Sequence, residues 1–223
     1  MNFKSWAPFY REILNDFGFS EEADIKAARL LNELLPENPP IDKLKALISG
    51  KTVNVFGAGP SLEKIKEFPK GTSIAADGAT SFFIEKGAVP DIIVTDLDGR
   101  MVDIIEANKK GSIVVVHAHG DNVPELEKYV KEFSAPIGTT QAEPFGRLHN
   151  FGGFSDGDRC VFLAAHFDAS EIRIFGIDFD NPVMGKYTFS KNESLTKKKL
   201  AWAARLIKYL NDERLIKQRS GIT

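Results

Sequence analysis

A single cysteine, Cys160, stands in 223 residues, so no disulfide can form within the chain. That excludes the small secreted folds that depend on such staples. No stretch approaches the ~18 consecutive apolar residues of a spanning helix, and Met1 to Leu14 lacks the apolar centre of a secretory signal. A membrane role has no support, and the expected location is the cytoplasm. A surplus of positive charge is missing too. The 29 Lys and Arg against 31 Asp and Glu leave a formal net charge of −2, with no bulk attraction for nucleic acid. Small molecules are therefore the expected partners, with self-association left open. What the chain has in quantity is apolar residue, 43 % of the total, enough to bury one sizeable core.

Residues 1–50 read as helical. Asn2 to Phe17 carries apolar residues at helical spacing, Ser20 before Glu21 and Glu22 is a cap for Ala23 to Leu35, and Ile41 to Ile48 follows the Pro-rich break. This segment is expected to be a helical extension without chemistry, ahead of a catalytic domain over 51–223. From Lys51 onward, short β-branched runs (Thr52–Phe56, Thr72–Ala76, Asp91–Thr95, Ser112–His117, Glu171–Ile177) alternate with helix-length connections. Runs apolar on both faces predict an α/β fold with a mostly parallel sheet covered by helices on both sides.

The first four runs each end in a polar motif: Gly57-Ala58-Gly59-Pro60-Ser61, Asp77-Gly78-Ala79, Asp96-Leu97-Asp98-Gly99 and His117-Ala118-His119-Gly120-Asp121-Asn122. Ligands of open parallel sheets bind at the carboxyl ends of strands, so four such motifs predict one site. The glycines of the first loop let amides approach an anion, which points to phosphate. A dinucleotide fingerprint is the alternative, although Leu62 holds its third glycine position. Asp96 and Asp98 place two carboxylates beside a tight turn, and Asp77 and Asp121 add two more. Oxygen ligands of this kind suit Mg²⁺. The same turn mimics the nucleophile strand of haloacid-dehalogenase-type phosphatases, but two strands precede it and Arg100 follows it. His117 and His119 share a face in the manner of a transition-metal pair, yet too few other histidines exist to complete one; His119 reads as a polar neighbour of substrate. Gly138-Thr139-Thr140-Gln141 and the stretch Asn150 to Arg159 form a long, glycine-rich connection. There Phe154 suits stacking on a flat ring, and Asp156 or Asp158 suits an aminopyrimidine edge. Lys197-Lys198-Lys199 opens a further helix, with an anion-facing role for one lysine left open.

Taken in order, the motifs at Gly57 to Leu62, Ala76 to Ala79, Pro90 to Gly99, His117 to Asn122, Gly138 to Gln141 and Gly152 to Arg159 resemble the archaeal 6-hydroxymethyl-7,8-dihydropterin pyrophosphokinase family. The core is also similar to thiamine pyrophosphokinase, in which a serine stands where this chain has Gly99. The resemblance implies transfer of pyrophosphate from ATP to the hydroxymethyl group of a reduced pterin, with release of AMP, in folate- or methanopterin-type biosynthesis. It implies Mg²⁺ on Asp77, Asp96, Asp98 and Asp121. ATP and its phosphates fall to Gly57, Ala58, Gly59, Pro60, Ser61, Thr95 and Arg159. The pterin falls to His119, Thr139, Thr140, Gln141, Asn150, Gly153, Phe154, Asp156 and Asp158. A glycan-modifying relative and a non-catalytic nucleotide-binding protein are the competing readings.

Overall fold

The computed structural model describes residues 2–180, 184–189 and 192–212. Three helices lead the chain: α1 (Phe3–Phe17), α2 (Glu21–Leu34) and α3 (Ile41–Ile48). Then strands and helices alternate: β1 (Thr52–Phe56), β2 (Thr72–Ala76), α4 (Ala79–Glu85), β3 (Ile92–Thr95), α5 (Met101–Lys109), β4 (Ile113–Ala118) and α6 (Val123–Tyr129). β5 (Ile137–Thr140), β6 (Leu148–His149), α7 (Asp156–His166), β7 (Glu171–Phe175) and α8 (Glu193–Asp212) complete the order.

Every strand pairing is parallel, in the order β6-β5-β4-β3-β2-β1-β7. The chain therefore winds outward from β1 to β6 and then returns to lay β7 against the open side of β1. Strand order reverses between β1 and β7, and such a reversal opens a crevice at the carboxyl ends.

Alternate residues of the central strands serve opposite faces, as the pleat requires. Val53, Val55, Ile92, Val94, Ile113 and Val115 enter one cluster with α7, α8, α1 and α3; Ile93, Val114 and Val116 enter another with α2, α5 and α6. A third cluster joins Phe56 and Ala75 to Phe82 and Phe83 of α4. The leading helices thus help to cover both faces. α1 buries Trp6, Tyr10 and Ile13 almost completely, and each such side chain contributes roughly 1.5–3 kcal/mol through area removed from water. The caps of α1 and α2 are local: Asn2 accepts from the Ser5 amide at 2.9 Å and Ser20 from that of Ala23 at 3.2 Å.

Two stretches depart from the sequence expectation. The long connection read from Gly138 to Arg159 contains most of β5 and all of β6. Its polar Gly138-Thr139-Thr140 run gives no apolar strand signal, and it is buried because α2 covers it: a Cβ at Gly138 would lie 2.3 Å from Leu35 Cδ1. Between β1 and β2, where the helix-length connection predicts a helix over Ser61 to Phe68, only a 3₁₀ turn forms at Pro60–Lys64, and Leu62 is drawn fully into the Phe56–Phe83 cluster.

Candidate active site

The carboxyl ends of β2, β3 and the start of α7 bring three carboxylates together. Ligand oxygens of Asp77, Asp96 and Asp156 all lie within 4.8 Å of one another. Asp77 and Asp96 are buried. Asp98 borders the group from the more exposed side of the turn, and a Cβ on Gly99 would sit 2.2 Å from Asp77 Oδ2, so only glycine permits this approach. Both strand-end turns are strained: Asp77 after β2 has φ +38° and Leu97 after β3 has φ +73°, a region that costs a non-glycine residue of order 1 kcal/mol or more. Thr95 stabilises both, donating to Asp77 Oδ1 at 2.5 Å and accepting from the Leu97 amide at 2.8 Å.

Crowding sets the electrostatics. Burial, followed by the charges of Asp156, Asp96 and Asp98, pushes the Asp77 carboxyl well above its ordinary range. Burial, then Asp96, does the same to Asp156 against the opposing pull of Arg159, and Asp98 is pushed up to about 6 by burial and Asp96. Burial also opposes charge on Asp96, but the hydrogen bond and charge of His119, with Arg159 and Lys199, hold it below the usual carboxylate range. His119 Nε2 lies 3.4 Å from Asp96 Oδ2, while its Nδ1 accepts from the Asp121 amide at 3.3 Å. Asp96 Oδ1 is buried with no hydrogen-bond partner. Several carboxylates in one place, one with an orphaned oxygen, form a donor set suited to a hard divalent cation.

Beside the cluster, the β1/β7 crevice forms a cleft of ≈ 300 Å³ lined by Gly57 to Pro60, Gly176 to Asp178, Asp77, Asp98, Asp156, Phe189 and Lys199. The Gly57–Ser61 loop forms a wall in which the amides of Gly57, Gly59 and Ser61 are already engaged. Gly57 N donates to Phe175 O and Gly59 N to Gly176 O, both at 2.8 Å, and Ser61 N donates to Asp178 Oδ2 at 2.9 Å. A Cβ at Gly57 would lie 2.5 Å from Gly176 O, so close packing of the two strand ends already requires glycine there. A broader groove of ≈ 630 Å³ between α1 and α8 contains none of the clustered carboxylates, and its charges pair with one another as Glu12–Arg205 and Asp16–Lys198.

The remaining residues singled out in the sequence stand outside the group of Asp77, Asp96 and Asp156, and most of them bond to nearby backbone. Asp121 is exposed and stands outside the carboxylate group. Thr139 donates to Val116 O and contacts His117 Nδ1, both at 3.0 Å; Thr140 accepts from the Ala142 amide at 3.2 Å. Asn150 donates to Gln141 O and Ala142 O at 3.0 and 2.9 Å. Gly153 packs against the Arg159 backbone, and Phe154 lies 4.8 Å from the Phe17 ring. Asp158 is fully buried and accepts from the amides of Phe154 and Ser155 at 2.6 and 2.8 Å, capping α7. Arg159 Nη1 reaches Asp156 Oδ1 at 3.1 Å. Among the cleft residues, Asp178 and Phe189 carried no functional reading in the sequence. Asp178 lies three residues beyond β7, as Asp98 lies three beyond β3, so the strand-end rule could have found it. Phe189 sits in no motif.

A profile of the "6-hydroxymethylpterin diphosphokinase MptE-like" family matches residues 28–183. The chain belongs to this family. It is similar to proteins named 6-hydroxymethyl-7,8-dihydropterin pyrophosphokinase from three archaea. It is 43 % identical to that of Methanocaldococcus jannaschii, with 96 % of this chain and 97 % of that protein covered. The Pyrococcus furiosus protein is 48 % identical, with 84 % and 82 % covered. The Methanothermobacter thermautotrophicus protein is 45 % identical, with 94 % and 95 % covered. The family match spans β1 to β7 and with them every strand end that lines the cleft.

Proposed function

We propose that this protein transfers the terminal pyrophosphoryl group of ATP to the hydroxymethyl oxygen of 6-hydroxymethyl-7,8-dihydropterin, giving the pterin diphosphate and AMP. The observation that carries this reading is the meeting of Asp77, Asp96 and Asp156 beside a cleft that Lys199 also lines. Its kinship with the archaeal pterin pyrophosphokinases supplies the substrate class.

In this reading Asp77, Asp96 and Asp156 would hold Mg²⁺, with Asp98 adjacent. Bound Mg²⁺ would supply neutralising charge to the polyphosphate and to the departing AMP. The protein's own task is alignment, because the bond formed is between the alcohol oxygen and the β-phosphorus while the bond to the bridging oxygen of AMP breaks. Lys199 faces the phosphates as a point charge. Arg159 pairs with Asp156 and restrains it. His119 holds Asp96 by its Nε2 edge. The apolar walls at Pro60, Ile177 and Phe189 suit a flat heterocycle.

Incubation with ATP, Mg²⁺ and 6-hydroxymethyl-7,8-dihydropterin, followed by separation of nucleotides, tests the proposal. AMP formed only in the presence of the pterin supports it. ADP as the product, or no turnover, removes it, and a parallel reaction with thiamine distinguishes the related pyrophosphokinase.

A further inference from the structure

We propose that Asp24, on α2, is a positioning residue that holds in place both arms flanking the carboxylate cluster. This inference rests on that cluster being the catalytic cation site. Asp24 is 2 % exposed, and among the described residues its hydrogen bonds come from neutral donors. Each of its oxygens is tied to a different part of the rim.

The first arm is the loop after β4. Gly120 N donates to Asp24 Oδ1 at 2.8 Å, and α2 butts so closely against this loop that a Cβ on Gly120 would meet Ala23 Cβ at 2.7 Å. The next residue back is His119, which contacts Asp96. Asn122 closes the same loop, accepting from the His119 amide at 3.0 Å and donating to Asp96 O at 2.8 Å. Fixing Gly120 therefore fixes the histidine that sits on a cluster carboxylate.

The second arm runs through a side-chain amide. Gln141 Nε2 donates to Asp24 Oδ2 at 2.7 Å, and Gln141 Oε1 faces Arg159 Nη2 at 3.4 Å. Arg159 Nη1 in turn donates to Asp156 Oδ1. A carboxylate offers only acceptors, so Asp24 decides which way round the Gln141 amide points: NH₂ toward itself, oxygen toward the guanidinium. Tyr10 supplies the third donor, its hydroxyl 2.7 Å from Asp24 Oδ2. Burial and the Asp24 contact push that hydroxyl's titration far upward, so it keeps its proton. With an amide in place of the carboxylate, Gln141 can turn over and direct its NH₂ at Arg159, loosening Asp156. Outer-shell partners of metal ligands typically matter by about 10- to 100-fold.

The test uses Asp24→Asn, Gln141→Met, their double variant and Tyr10→Phe. Mn²⁺ binding is followed by electron paramagnetic resonance without substrate, alongside turnover and thermal melting. Asp24→Asn is expected to weaken Mn²⁺ binding and lower turnover by about 10-fold or more. Tyr10→Phe removes a donor from the same carboxylate without touching either arm. It is expected to lower the melting temperature while leaving Mn²⁺ affinity within about 2-fold of the parent protein. The double variant should lose less than the product of the single losses, because both act on one amide. Parent-like Mn²⁺ binding by folded Asp24→Asn overturns the proposal, and so do multiplicative losses. Should Asp24→Asn fail to fold, parent-like binding by Gln141→Met overturns the second arm. A parent protein that binds no Mn²⁺ overturns the cation reading itself, and this inference with it.

Discussion

Replacing Asp77 by Asn should make the cation-free protein more stable while destroying its activity. The ligand oxygens of Asp77, Asp96 and Asp156 lie within 4.8 Å of one another. At that separation, and an effective dielectric constant of 20, each pair of ionised carboxylates repels by about 3.5 kcal/mol. The other course is to protonate one of them, which at pH 7 costs about 4 kcal/mol from an ordinary aspartate. Thr95, Arg159 and Lys199 favour the ionised forms and so offset much of the repulsion. About 1–2 kcal/mol is the expected residue.

Asn removes the charge yet keeps the local geometry. Its oxygen can still accept from Thr95 Oγ1, and with Asp it is among the side chains that best tolerate φ +38°. For a domain of this size, 1 kcal/mol shifts the melting temperature by about 2–4 °C, so Asp77→Asn in EDTA at pH 7 should melt about 2–8 °C higher. The sign with pH follows from the direction of the shift. A carboxyl raised in the folded state contributes stability that is fully present below its unfolded value and lost as pH rises through the folded one. The advantage of Asp77→Asn should therefore vanish near pH 4 and grow toward pH 7. Saturating Mg²⁺ should raise the melting temperature of the parent protein more than that of the variant, because a cation that binds only the folded state stabilises it by mass action. Scanning fluorimetry between pH 4 and 8, with and without Mg²⁺, provides the measurement. If Asp77→Asn melts at or below the parent protein across that range without metal, the repulsion argument is wrong.

The other expectations concern single side chains. Asp156→Asn should lower turnover by about 100-fold or more, as expected for the loss of a ligand to a charge-neutralising metal, whereas exposed Asp121→Asn should stay within a few-fold. Equal losses in the two variants would remove the assignment of Asp156 to the cluster. Lys199→Ala should cost about 1.5–3 kcal/mol of charge-assisted contact, seen as roughly a 10- to 100-fold lower kcat/KM for ATP. An unchanged value would place the polyphosphate elsewhere. Gly57→Ala should be poorly folded rather than merely inactive, because its Cβ would lie 2.5 Å from Gly176 O and 2.6 Å from Ile177 Cγ1. A well-folded variant by circular dichroism and melting would contradict that close approach.

What could be read from the chain divides by the range of the interaction. Strands β1 to β4 and β7 announce themselves by β-branched runs, and the strand-end rule places Asp77, Asp96 and Asp98 at one rim because the first two follow their strands directly and Asp98 lies two residues beyond Asp96. Asp156 belongs to the same rim through α7, which crosses the face of the sheet, and nothing local distinguishes it from the helix-capping Asp158 two residues on. Asp121 shows the opposite error in the rule: it too follows a strand, but Asn122 folds its loop back onto Asp96 O and His117 O at 2.8 Å, and the carboxylate is left exposed. The strand-end rule therefore locates the rim, while long-range hydrogen bonds decide which side chains enter it. The N-terminal helices illustrate the same division. Their amphipathic pattern and caps are written locally, whereas the contacts of Trp6 with Gln141 O and of Asp24 with Gly120 and Gln141 span 96 to 135 residues. A helix can thus read as a plain extension in sequence and still hold segments 96 to 135 residues away.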